Sequence, residues 1–251
     1  MRLYIEAHIR AETETVWDRS QLPDQHQRWD LRFSEIGQLP CVPGEPQRFT
    51  YATRVLPLLK IAGTGVSAGE HNRSDGTRTS ALRFSSPHPL SFIKDGRGYW
   101  RYIPDADGLR FLTGYDYRPR WGHFGRTADR LVFRPLMGWA TAWSFDRLRL
   151  WCEHGITPER SLLYALAELC SRTAVFLAAV VAAFTFTAAV PAALAVPAVI
   201  GVGAAALLLP PLSVTPAARR CLRRPPARAA GGGADVSAAA PTALLKTLEQ
   251  S

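Results

Sequence analysis

The chain has 251 residues, 47% of them hydrophobic, and a formal net charge of +9. That length suits one ordinary domain plus appendages, and the absence of an isolated basic run in the first 172 residues argues against a nucleic-acid partner. The four cysteines, Cys41, Cys152, Cys170 and Cys221, show no CxxC spacing, so neither a disulfide framework nor a zinc site is expected.

From the N-terminus, residues 3–10 alternate in side-chain type and predict a strand. The chain turns charged before an apolar signal core could form, so no cleavable signal peptide is expected. Residues 11–17 predict a helix with acidic residues in its first turn, and residues 22–29 a second short helix with Pro23 near its start. Residues 31–39 predict another strand. Five more strand-like runs follow, at 47–55, 58–67, 77–85, 98–103 and 109–117. Turn residues separate them, at Ser74-Asp75-Gly76, Pro87-His88-Pro89 and Asp105-Ala106-Asp107-Gly108. This spacing predicts an antiparallel meander. Leu109, Phe111, Thr113, Tyr115 and Tyr117 fall on one face of the last strand, and Trp100 and Tyr102 on one face of the strand before it. After Pro119 the period becomes helical and predicts a long helix over 127–153, kinked or restarted at Pro135. Gly155 ends it, and Thr157-Pro158 opens the next helix.

Residues 173–218 contain no Asp, Glu, Lys, Arg or His. One crossing of a bilayer takes about 20 mainly apolar residues. This run is long enough for two, with Pro191 and Pro197 near the turn, at roughly 173–190 and 198–214. The alternative is one span followed by a re-entrant or surface segment. Arginines flank both ends (Arg160 and Arg172 before, Arg219, Arg220, Arg223 and Arg224 after), and positive flanks stay cytoplasmic, which favours an even number of crossings. Beyond Arg224 the Pro/Gly/Ala/Ser composition predicts a disordered tail.

The order strand, two short helices, antiparallel strands, long helix resembles the START-like, helix-grip superfamily, which includes polyketide cyclase/dehydrase-like proteins. The residues that carry the resemblance are Glu6-Ala7-His8-Ile9-Arg10-Ala11-Glu12-Thr13-Glu14-Thr15-Val16-Trp17, then Trp29 and Leu31-Arg32-Phe33-Ser34-Glu35-Ile36. The helix start lacks the proline frequent in that family. The resemblance implies an α+β helix-grip fold, a curved antiparallel sheet wrapped around a long C-terminal helix with an apolar cavity between them, and no single chemistry. The expected division is 1–154 START-like domain, 155–172 juxtamembrane helix, 173–218 transmembrane helical hairpin and 219–251 basic, disordered tail.

The expected cavity residues are Trp29, Trp100, Tyr102, Phe111, Tyr115, Trp139 and Trp143. In this fold core and cavity wall draw on nearly the same residues. His26 could face the cavity mouth, although a solvated helix position is the more ordinary place for it. Arg118, Arg120, Arg126, Arg130 and Arg134 read as a solvated face or as a contact for anionic head groups. The glycines of Gly63-Thr64-Gly65 precede a turn rather than a helix, so they read as strand positions of close backbone approach rather than a phosphate cradle. The six histidines share no ligand spacing, so no metal and no cofactor are expected. The functional expectation is a membrane-tethered domain that binds a hydrophobic small molecule or lipid. Its partners are that ligand and the membrane, and its N-terminal domain and C-terminal tail are cytoplasmic around two spans. The alternative is a polyketide cyclase/dehydrase-like enzyme using groups such as Tyr102, Tyr115 or His26 on an apolar enolisable substrate.

Overall fold

The structure is a computed structural model that describes residues 3–41, 44–56, 59–185 and 192–226. The chain forms two compact units, residues 1–158 with 217–251, and residues 159–216.

The first unit is α+β. Strand β1 (Leu3–Ile9) leads into helices α1 (Thr13–Gln21) and α2 (Pro23–Trp29), and then β2 (Glu35–Gln38) and β3 (Arg48–Leu56) follow. The meander continues through β4 (Leu59–Asn72), β5 (Arg78–Ser85), β6 (Ile93–Asp105) and β7 (Gly108–Pro119). The seven strands form one sheet in the order β1-β7-β6-β5-β4-β3-β2, with every pairing antiparallel. Bulges at Arg54/Leu56, Ser67/Gly69 and Ile93/Asp95 help curve it, because an extra residue bends one strand and raises the local twist. Strand β2 is shorter than the expected 31–39, because residues 30–32 fold into a buried polar knot instead of pairing.

The helical stretch begins earlier than expected and is not uniform. It consists of α3 (Gly122–Ala128), a π-helical turn (Asp129–Phe133) and α4 (Arg134–His154). Pro135 sits in the first turn of α4, but the backbone stays helical from the π-helical turn through Phe133 and Arg134, so the expected restart at Pro135 is a change from π- to α-helical hydrogen bonding within one continuous helical stretch. At the other end Gly155 (φ 65°) takes the left-handed conformation. Its N–H donates to the Trp151 carbonyl, which closes the helix.

Helix α4 crosses the β1 and β7 end of the sheet. Phe145 stacks on Phe111 with ring centroids 4.5 Å apart. Phe145, Leu148, Ile5, Ile9, Leu109, Phe111, Tyr102 and Trp29 are fully buried there. Aromatic side chains of this size remove about 150–250 Å² each from water, so this end of the sheet is solid core.

Residues 217–222, expected as the end of the membrane block and the start of a disordered tail, are ordered within this unit. Leu222 and Glu6 exchange both backbone hydrogen bonds at 2.9 Å, which extends the β1 edge. Asp146 of α4, with no side-chain exposure, accepts from the Ala217 N–H (2.7 Å), from Arg220 (2.8 Å) and from Arg149 (2.6 Å). The rest of the expected tail, 227–251, lies outside the described residues.

The second unit contains α5 (Pro158–Thr185) from Glu159 onward and α6 (Ala192–Leu208). The expected juxtamembrane helix and first span are one continuous helix. No residue breaks it at 172, and Arg172 stays within it by pairing with Glu168 one turn back. The two helices run antiparallel. The Arg172 guanidinium donates to the carbonyls of Ala206 (2.7 Å), Leu209 (2.9 Å) and Pro210 (2.9 Å), and so caps the C-terminal end of α6 with a cation. Farther along, Phe176 packs against Gly203, where a Cβ would come within 2.9 Å of the ring. Among the described residues α5 alone is both long and apolar enough to cross a membrane, and its most apolar window has no buried residues. The apolar part of α6, Leu194–Leu208, is shorter and tolerates Pro197 inside it. The expected second span, 198–214, begins earlier and ends sooner, because Pro210 and Pro211 stop the helix. The turn placed at Pro191 lies outside the described residues.

Candidate functional site

A cavity of about 680 Å³ opens on the sheet beside the start of α4. Strands β3 to β7 form its floor, α2 and residues 32–33 one wall, and Phe92, Trp121, Phe133 and Met137 the opposite rim. Gly63 and Gly65 on β4 make room for it. A Cβ at Gly63 would meet the Tyr51 ring at 2.4 Å, and one at Gly65 the Phe49 ring at 2.1 Å. The glycines let both rings lie flat on the neighbouring strand, where they line the cavity. The glycine-rich run is therefore a site of close approach, as its place before a turn implied.

The expected cavity residues separate into three groups. Trp100 and Tyr115 line the cavity. Trp29, Tyr102 and Phe111 are wholly buried in the solid core. The Tyr102 hydroxyl is engaged there by Ser20 (2.6 Å) and Gln21 (2.9 Å). Trp139 is 45% exposed and stacks on the half-buried Trp143 at 6.2 Å; neither lines the cavity. The apolar pattern was right, but the void lies toward the start of α4 rather than under its middle, because Phe145 and Leu148 fill the space there.

Sequence reasoning missed the polar knot in the cavity wall. Arg32 grips the Asp30 carboxylate through Nε (2.8 Å) and Nη2 (2.5 Å). It donates through Nη1 to the Tyr115 hydroxyl and lies 5.0 Å over the Tyr115 ring. His26 Nε2 bonds at 3.0 Å to Asp30 Oδ2, the oxygen that also accepts from Arg32 Nη2. The imidazole stacks on Trp29 (4.9 Å) and meets Trp100 edge-on (4.7 Å). It is only 12% exposed, so the solvated position is corrected. Arg32, Tyr115 and His26 all line the cavity. Trp100 Nε1 is a further buried donor without an acceptor among the described residues. The alternation Trp29-Asp30-Leu31-Arg32-Phe33 was the available signal, and it resembles an ordinary half-exposed strand.

Burial pushes the Asp30 carboxyl upward, but the charge and hydrogen bonds of Arg32, aided by His26, overcome it and hold Asp30 below the usual carboxylate range. Asp30 is therefore a pure acceptor, and His26 Nε2 must carry the proton between them. Burial also lowers the His26 pKa below its ordinary value against the opposing pull of Asp30, with Arg32 adding to the depression. At neutral pH the ring is uncharged, with Nδ1 left as an acceptor. Tyr115 accepts from Arg32, so its own proton remains available to a ligand oxygen.

The sign of the pH dependence follows. Below about pH 6.5, the ordinary histidine value, the unfolded chain binds a proton that folded His26 resists. This site's contribution to stability therefore falls as pH drops from there through the lowered folded value, by up to about 1.4 kcal/mol per pH unit. Urea unfolding of the detergent-solubilised protein between pH 7.5 and 5.5 should show a steeper loss for the wild type than for His26→Gln. Parallel curves would contradict this reading of His26.

A second polar knot holds the opposite rim. Asp129, buried in the π-helical turn, accepts from the Tyr117 hydroxyl (2.5 Å) and from Arg134 (2.5 Å). This fixes the turn that carries Phe133 against β7. Of the expected arginine face, Arg134 is thus engaged by Asp129, Arg118 pairs with Asp95, and Arg120 donates to the carbonyls of Ser86 and Ser91. Arg126 and Arg130 are exposed. Among the described residues no three His, Cys, Asp or Glu side chains group as metal ligands.

No protein-family profile matches the chain. Over 165 residues, 65% of this chain, it is 48% identical to YndG, an uncharacterized membrane protein of Bacillus subtilis (strain 168). The chain spans 62% of the length of that relative. Among solved structures, it is similar to a STAR-related lipid transfer protein of Xanthomonas axonopodis (18% identity, TM-score 0.45, covering 59% of this chain and 83% of that one). It is also similar to the di-domain ARO/CYC StfQ from the steffimycin biosynthetic pathway (10% identity, TM-score 0.46, covering 60% of this chain and 50% of that one).

Proposed function

We propose that this chain is a membrane-tethered START-like domain that holds a hydrophobic small molecule or lipid between its sheet and its helices. The observation that carries the reading is the cavity of about 680 Å³, within the range of about 300–1,000 Å³ usual for small-molecule sites. Its wall is largely apolar and aromatic, with Arg32, Tyr115 and His26 joined through the Asp30 knot and further polar side chains, among them Gln47, Ser67, Glu70 and Ser80, elsewhere in the lining. That combination suits a mainly apolar body with at least one oxygen acceptor to meet Arg32 and Tyr115. Titration of the detergent-solubilised protein with the fluorescent apolar probe N-phenyl-1-naphthylamine tests it. Saturable binding is expected for the wild type, with at least a tenfold weaker affinity for Ile61→Trp, whose indole would occupy the void. Equal affinity in both proteins would overturn the cavity reading.

The tether is the pair α5 and α6. The chain leaves the first unit after Pro158 and returns to it at Ala217. A segment that starts and finishes in one folded body crosses a bilayer an even number of times. Helix α6, with 17 residues, spans about 25 Å. That is slightly short of a hydrocarbon core of about 30 Å, a mismatch that local thinning accommodates at modest cost. A membrane protein 48% identical over 165 residues supports the same reading. Arginines at both ends favour a cytoplasmic N-terminal domain and tail. A reporter fused after Ser251 should therefore remain cytoplasmic, and its appearance outside the cell would overturn the two-span topology.

A second reading, a cyclase/dehydrase-like enzyme, is favoured by one specific arrangement. The carboxylate of Asp30 orients a neutral His26 whose Nδ1 could take a proton from a carbon beside a carbonyl, while the Tyr115 hydroxyl donates to the enolate oxygen. Deuterium exchange into an apolar β-keto probe, abolished in His26→Gln while probe binding persists, would establish this chemistry. No exchange above buffer would leave the carrier reading alone.

A further inference from the structure

Residues 121–139 present two different surfaces. Trp121, Phe133 and Met137 line the cavity. Leu131 (69% exposed), Leu136 (56%), Phe124 (73%) and Trp139 (45%) meet solvent. Large side chains at such exposure, grouped on one short segment, mark an interaction surface rather than a random scatter. The charges within the segment are equally one-sided. Its sole acidic residue, Asp129, is buried and bound to Arg134 and Tyr117, whereas Arg126 and Arg130 are exposed. The outward surface of the segment is therefore apolar and cationic, with no carboxylate of its own.

We propose that this segment docks onto an anionic phospholipid bilayer and lays the edge of the cavity against the lipid. Leucine, phenylalanine and tryptophan bury their apolar bodies at the headgroup boundary, while arginines alongside them attract anionic lipid. A second copy of the chain is a poorer occupant, because a two-fold contact would bring Arg126 and Arg130 toward their own copies. The docking rests on the membrane-tethered reading above, since the tether keeps the domain within reach of lipid, and it goes beyond that reading by assigning the contacting face. It gives the π-helical turn a role: one short element carries a cavity wall on one side and a lipid contact on the other, so an apolar ligand passes between bilayer and cavity without crossing water.

The full chain, reconstituted in vesicles, tests this through the environment of the segment rather than through attachment, which the apolar helices provide in every arm. In a Cys41→Ser, Cys170→Ser background, bimane is placed at Leu131→Cys, at Leu136→Cys or, as a control outside the segment, at Asn72→Cys. In phosphatidylcholine vesicles containing phosphatidylglycerol, the labels at 131 and 136 should be several-fold less quenched by aqueous iodide than the label at 72. They should also be quenched by doxyl-labelled lipid. High salt, omission of phosphatidylglycerol, or Arg126→Glu with Arg130→Glu should restore iodide quenching. Iodide quenching at 131 and 136 equal to that at 72 in anionic vesicles would overturn the proposal, as would insensitivity to charge reversal. Binding of N-phenyl-1-naphthylamine in detergent reports the cavity separately: its loss with docking intact would sink only the cavity reading, and its retention with docking lost would sink only this one.

Discussion

Replacing Asp30 by alanine should lower the unfolding free energy by about 3–5 kcal/mol, because it strands the buried Arg32 guanidinium without its counter-charge. The Arg32 side chain is 7% exposed and that of Asp30 0%, so water cannot take over from the lost carboxylate. The asymmetry is informative. Removing both charges with Asp30→Leu and Arg32→Leu should restore most of the loss, since a buried pair contributes little net stability over apolar residues of similar size. His26 adds a second consequence. Without Asp30 it loses the acceptor that fixes its proton on Nε2, so any activity that depends on Nδ1 should fall further than stability does. Urea unfolding followed by circular dichroism in detergent measures the first effect. A change under about 1 kcal/mol in Asp30→Ala would mean that Arg32 is solvated and that the knot is not a fixed pole of the cavity.

The second large effect is expected at Asp146. This carboxylate joins α4 to the segment that returns after the apolar helices through Arg220 and the buried Ala217 N–H, while Arg149 of α4 itself holds its other oxygen. Hydrogen bonds to a charged group contribute about 1.5–3 kcal/mol each in favourable cases. Asp146→Ala should therefore release residues 217–222 from the β1 edge before it unfolds the domain. Limited trypsinolysis reads this directly. Cleavage after Arg219 and Arg220 should accelerate by at least tenfold in the variant, because local opening exposes backbone that is otherwise pinned, while near-ultraviolet circular dichroism of the core changes little. Equal cleavage rates would show that the return segment is not held there, and would remove the structural argument for an even number of crossings.

How far the sequence carried the fold can be judged residue by residue. The alternation from Leu109 to Tyr117 placed one face of β7 correctly because period-2 patterning is local and strong. Pro135 and Gly155 marked α4 because backbone constraints act through single residues. The division between core and cavity was not legible, since Phe111 and Tyr115 look alike along one strand. Which of them meets Phe145 and which meets open space depends on where α4 crosses the sheet. That crossing is set in part by the π-helical turn and by Asp129, whose partners lie 12 residues back on β7 and 5 residues on. The Asp30–Arg32 knot was hidden for a related reason: its third member, Tyr115, is 83 residues away. The end of the apolar block misled in the opposite direction. Ala217 and Ala218 carry no charge and read as membrane, yet they are buried in the first unit and Ala217 is held there by Asp146.

Native mass spectrometry of the full chain released from detergent tests the central claim most directly. The expected spectrum shows a fraction of the protein carrying one apolar molecule, displaced by N-phenyl-1-naphthylamine and absent from Ile61→Trp. A spectrum of bare protein alone, unchanged after incubation with the probe, would contradict a ligand-holding cavity.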